Sequence, residues 1–127
     1  MLDETWWLTL LFDTYGAMLS EKQRQFFTLY HEEDWSFGEI AVQYGISRQA
    51  VYDIVKRAEK TLYELEAALG VAAREVKWRR RAEKVASGLA EVKNICRGLP
   101  GEAAALALSQ LDRVEAELSL WLAEEGS

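Results

Sequence analysis

The 127-residue sequence holds one cysteine, one histidine and one proline. A lone thiol, Cys96, excludes an intramolecular disulfide and fits a reducing cytoplasm. Nothing sets His31 and Cys96 up as base and nucleophile. No glycine-rich phosphate loop is present, so this chain is not expected to handle GTP. His31, Glu32, Glu33 and Asp34 offer metal-ligand chemistry, but they fall at a helix end where adjacent side chains diverge. No catalytic residue, cofactor or metal is therefore expected. The apolar run WWLTLLF, residues 6–12, is far shorter than a bilayer span. With no basic lead and no small-residue cleavage site, it reads as a core helix, and no membrane insertion is expected.

Positive charge is also scarce: 15 Lys and Arg stand against 21 Asp and Glu, a net charge of −6. That balance looks wrong for a nucleic-acid binder until it is divided along the chain. Residues 1–46 carry eight acids and two bases, and residues 102–127 six acids and one base. Between them, residues 47–101 carry twelve bases and seven acids. A basic centre between acidic ends favours phosphate locally while opposing it at long range.

Hydrophobic residues make up 50% of the chain and five are tryptophan, enough to bury a core. The spacing predicts helices almost throughout and no strand. The first helix runs from about Glu4 to Tyr15, capped by Asp3, with Trp6 or Trp7, Leu10 and Leu11 inside. Ser20 and Gln23 form a capping box that opens a second helix to about His31, with Phe26, Phe27, Leu29 and Tyr30 as its apolar face. Trp35 joins the N-terminal tryptophans as a core aromatic. Ser36 and Glu39 are a second capping box.

Residues 36–57, SFGEIAVQYGISRQAVYDIVKR, are the richest segment. Ile40 and Ala41 face inward on one short helix, and Tyr44 closes its apolar side. Gly45 permits a sharp turn, Ile46 plugs it, and Ser47 caps the next helix. Val51 and Ile54 pack back on the first helix. An ordinary helical hairpin would use the same parts, but the residues left outside favour a helix-turn-helix that lays its second helix in the DNA major groove. Arg48, Gln49 and Tyr52 are placed to read base edges, and Ser47, Lys56 and Arg57 to hold phosphate. Asp53 is discordant in such a face and calls for a partner, Arg57 being four residues on.

The second helix continues along Val51, Ile54 or Val55, Ala58, Leu62, Leu65 and Leu69 until Gly70 stops it. A domain of residues 1–70 is followed by a helical arm, 71–127. The arm comprises a basic helix over 71–97, a turn at RGLPG, and a last helix from Glu102 to Glu124. Leu106, Leu108, Leu111, Val114, Leu118, Leu120 and Trp121 form the last helix's apolar stripe. Such an arm suits homodimerisation, which would give a two-fold reader its second half-site and is favoured over the alternative, that the two helices fold back on their own domain. Within it, Arg74, Lys77, Arg79, Arg80, Arg81 and Lys84 surround Trp78. They form a second patch for nucleic acid or a protein partner, or else a solvated face.

Residues 19–69 resemble the YlxM family of small bacterial helix-turn-helix proteins. The resemblance lies in Leu19-Ser20-Glu21-Lys22-Gln23, in the segment from Leu29 to Ser36, in Glu39-Ile40-Ala41 and above all in SRQAVYD at 47–53, followed by Lys56-Arg57. It covers residues 1–70 well and the remainder poorly. It implies an all-α fold with a helix-turn-helix similar to region 4 of sigma factors, of winged-helix type without the wing. It also implies a cytoplasmic, non-enzymatic regulator of double-stranded DNA linked to the signal recognition particle, or an accessory factor of that particle's GTPase or RNA. Ser47, Arg48, Gln49, Tyr52, Lys56 and Arg57 match the family positions expected near nucleic acid.

Overall fold

The structure is a computed structural model that describes residues 4–125, with side chains through Ala123. The described residues are helical with no strand: α1 (Glu4–Tyr15), α2 (Glu21–Phe27), α3 (Phe37–Tyr44), α4 (Arg48–Leu69), α5 (Val71–Arg97) and α6 (Glu102–Glu125). They divide into two compact units, Met1–Ala73 and Arg74–Ser127. The expected Asp3 cap lies outside the described residues.

In the first unit, both capping boxes form. Ser20 Oγ accepts from the Gln23 N–H at 3.1 Å, and Gln23 Oε1 accepts from the Ser20 N–H at 3.0 Å. The Ser36–Glu39 pair repeats the arrangement at the start of α3. These reciprocal bonds satisfy donors that a helix start otherwise leaves open. The second helix differs from the expected single helix to His31. Its α-helical part stops at Phe27 and is succeeded by a π-helical turn, Thr28–Glu32, closed by the Glu33 N–H donating to Thr28 O at 3.1 Å.

Two apolar clusters hold this unit together. The first joins Leu8, Leu11 and Tyr15 of α1 to Leu19, Phe27, Ala58, Leu62 and Ala72. Trp7 and Leu10 pack on it from the side. Trp6 does not join the core: it is 44% exposed, because the buried face of α1 runs through Leu8 and Leu11. The second cluster is Phe26, Ile40, Ala41, Val51 and Val55, flanked by Leu29, Tyr30, Trp35, Phe37, Ile46 and Ile54. Of the two choices on α4, Val55 is buried and Ile54 lies at the edge; Leu69 ends up exposed.

Gly70 ends α4 in the left-handed region at φ 64°, and α5 begins at the next residue. An abrupt restart leaves free N–H groups, which are met from earlier in the chain. The Val71 N–H donates to the Tyr15 hydroxyl, and the Ala72 and Ala73 N–H groups to the Glu66 carboxylate. Burial, then the adjacent Glu66, push the Tyr15 phenol above its usual range.

In the second unit, residues of α5 and α6 form an antiparallel hairpin around the turn at 98–101. Lys93 Nζ lies 2.6 Å from both Asp112 Oδ1 and Glu115 Oε1. The rings of Trp78 and Trp121 meet edge to face at 5.8 Å. Among the described residues of this unit the buried ones are small, Ala82 and Ala104. The expected stripe on α6 therefore divides. Leu108, Leu111 and Leu118 are half-buried, while Leu106, Val114, Leu120 and Trp121 stay exposed. The stripe is too wide for one facing helix to cover.

Candidate nucleic-acid interface

α3, its turn and the first half of α4 build one presented surface. Gly45 adopts φ 65°, and the Ile46 N–H then reaches Ala41 O at 3.1 Å, so the chain reverses within two residues. That conformation is open to glycine at little cost and penalises any residue with a Cβ. Ser47 Oγ accepts from the Ala50 N–H at 3.0 Å and starts α4. Val51 and Val55 are buried against Ile40, Ala41 and Phe26, which fixes the rotation of α4 about its axis. Ser47, Arg48, Gln49, Tyr52, Asp53, Lys56 and Arg57 are consequently all exposed.

The exposed residues differ in how far they are already engaged. Arg48 and Arg57 have no hydrogen bond or ion pair among the described residues. Asp53 does not pair with Arg57. Its Oδ1 instead accepts from Gln49 Nε2 at 2.9 Å. With an amide N–H of Gln49 donated to Asp53, its carbonyl oxygen is left as an acceptor. Lys56 Nζ lies 3.2 Å from Glu59 Oε2 and 5.6 Å from the Tyr52 ring centre. Burial works against the Lys56 charge, but Glu59 outweighs it and holds the ammonium above the ordinary lysine range.

Glu59 and His31 were not singled out as part of this surface by the sequence. Glu59 is 9% exposed, the one buried charged residue among those described. His31 Nε2 is 2.9 Å from Glu59 Oε1, and the His31 ring lies against Phe27 at 4.4 Å. Burial disfavours the Glu59 carboxylate, but hydrogen bonds from His31 and Lys56 override it and hold its pKa below the usual range. A carboxylate four residues beyond Val55, on the apolar side of α4, was the available signal. Phe37 was likewise overlooked. It stacks on Tyr30 at 4.3 Å and meets the Tyr52 ring edge to face at 5.5 Å.

The structure separates the second basic patch on α5. Arg74, Lys77, Arg80, Arg81 and Lys84 are exposed. Arg79 turns inward, donating to the Leu122 carbonyl of α6 at 3.3 Å, and does not share their face. Among the described residues no cluster of His, Cys, Asp or Glu is placed to hold a metal. No described helix is long and apolar enough to cross a membrane.

Two short helices at a glycine turn, the second outward and polar, define a helix-turn-helix protein. A sequence model of the UPF0122 family, described as "Putative helix-turn-helix protein, YlxM / p13 like", matches residues 2–98. The chain belongs to this family, and the match runs on through α5, beyond the segment that carried the sequence resemblance. A UPF0122 protein of Thermoanaerobacter sp. (strain X514) is 43% identical over 89 residues, covering 70% of this chain and 76% of the relative. One from Halalkalibacterium halodurans is 47% identical over 83 residues, 65% of this chain and 73% of the relative. A third, from Desulforamulus reducens, is 53% identical over 64 residues, 50% and 55% of the two chains.

Proposed function

We propose that this chain is a cytoplasmic, homodimeric DNA-binding regulator that reads duplex DNA with the first half of α4. In this reading Arg48, Gln49 and Tyr52 meet base edges in the major groove, and Ser47, Lys56 and Arg57 hold phosphate. One observation carries it above the others: Arg48 and Arg57 stand exposed and uncommitted on a helix whose opposite side is locked against α3. A guanidinium without an intramolecular partner is free to make a bidentate contact to guanine or phosphate. Nothing in this role is enzymatic.

Residues 1–70 would be the DNA-binding domain and 71–127 the dimerisation arm. Support for the dimer comes from the hairpin's exposed apolar residues. Trp78, Val85 and Val92 on α5 recur every seventh position, as do Val114 and Trp121 on α6, the period of helices packed side by side. α5 carries eight bases and three acids, α6 six acids and one base. An isologous pairing of two hairpins, α5 against the partner's α6, would match both apolar area and charge.

Duplexes enriched from a random pool and titrated across a salt series test the DNA reading. Sequence-selective binding with a steep salt slope is expected; equal, weak binding to every duplex would refute promoter reading. A second reading, an accessory factor of the signal recognition particle acting on its GTPase or RNA, is favoured by the exposed bases Arg80, Arg81 and Lys84 and by the family resemblance. Pull-downs of that GTPase and RNA beside the selected duplex separate the two: retention of the duplex alone supports the first role, and of the GTPase or RNA alone the second.

A further inference from the structure

The presented surface contains an apolar feature that phosphate contacts and hydrogen-bond readout leave unused. Phe37, at the first turn of α3, and Tyr52, one turn into α4, meet edge to face at 5.5 Å, and Tyr30 stacks behind Phe37 at 4.3 Å. Together with Arg48 and Gln49 these two rings line an open concavity. Two aromatic and two polar side chains thus make up its lining. Tyr52 remains 42% exposed at a position where a polar residue would serve phosphate equally well.

The major groove offers one apolar group to such a concavity. Its other features are hydrogen-bond donors and acceptors; the C5-methyl of thymine is the exception. Resting on the duplex-DNA reading above, we infer that the concavity lined by Phe37 and Tyr52 is a specificity subsite for a thymine methyl. Arg48 and Gln49 in its lining then read the neighbouring base pairs. Gln49, its amide nitrogen held by Asp53, offers its oxygen to an adenine or cytosine amine. Lys56, above the Tyr52 ring, supplies positive charge for the adjacent phosphate. The occupant is thus duplex DNA carrying a thymine at one defined position in each half-site.

The test removes the methyl and nothing else. In the best enriched duplex, each thymine is replaced singly by deoxyuridine and binding to the full chain is measured. One position per half-site should lose about fourfold in affinity, the worth of one buried methyl group. Tyr52→Ala should weaken the parent duplex and abolish that sensitivity, while Arg48→Ala should weaken binding and retain it. Phe37→Leu, which keeps an apolar wall and spares the fold, should reduce the sensitivity partially. Deoxyuridine changes that all fall within experimental error overturn the methyl subsite and leave DNA binding standing. Sensitivity that persists in Tyr52→Ala overturns its placement here. Failure to enrich or bind any duplex overturns the DNA reading and this inference together.

Discussion

His31, on the π-turn after α2, and Glu59, on the inner side of α4, are joined at 2.9 Å across a separation of 28 residues. The other carboxylate oxygen of Glu59 holds Lys56, so one buried acid ties the support of α4 to its presented face. Glu59→Gln keeps the size of the side chain and removes its charge. The loss of two charge-assisted hydrogen bonds at a buried position should cost about 1.5–3 kcal/mol, read from the urea midpoint at constant m-value.

The same pair sets a pH dependence. Because the folded-state pKa of Glu59 is lowered from 4.5, the unfolded chain binds more protons in the window below that value. Stability from this group is therefore complete above pH 4.5 and declines as pH falls through the lowered folded value. Urea midpoints measured from neutral to acid pH should fall more steeply in the parent chain than in Glu59→Gln.

Two glycines should respond in opposite directions to the same change. At Gly45 an added Cβ meets nothing within 4 Å, but φ is +65°, so Gly45→Ala should cost about 1 kcal/mol from backbone strain alone. Gly88 lies within α5, also in open space and with no positive φ, and Gly88→Ala should stabilise by about 0.5–1 kcal/mol. Thermal unfolding of the two variants checks both signs.

Arg48 and Arg57 are both exposed and uncommitted, yet they should fail differently. Arg48→Ala is expected to cost about 1–3 kcal/mol on the enriched duplex and little on random DNA. Arg57→Ala should weaken all duplexes alike and reduce the salt slope by about one. Titrations of both variants on both duplexes at several salt concentrations distinguish the roles.

Trp78 and Trp121, edge to face on the hairpin, are 52% and 39% exposed. Replacing Trp78 by Glu should shift a dimer to monomer in sedimentation at micromolar concentration, with helix content unchanged. If the parent chain itself sediments as a monomer there, the proposed arm-to-arm dimer is wrong.

Much of the fold was legible because its signals are local. A capping box acts over three residues, so Ser20 with Gln23 and Ser36 with Glu39 announced two helix starts without knowledge of any other part of the chain. Gly45 and Gly70 marked turns because the left-handed backbone they adopt admits few residues other than glycine. Much of the roster of exposed residues on α4 followed from period, since burying Val51 and Val55 sends Gln49, Asp53 and Lys56 outward.

Local signals in the chain therefore specified the helices, their turns and most of the outward residues of the helix-turn-helix. Tertiary structure alone decided how those residues are engaged. Gln49 holds Asp53 in place of Arg57, Lys56 is tethered through Glu59 to His31, Phe37 closes on Tyr52, and Arg79 leaves its basic neighbours for the Leu122 carbonyl. Helix periodicity specifies a direction from the axis. Which group waits there depends on segments brought together by core packing, and rotamer choices between alternative partners are made only once that packing exists.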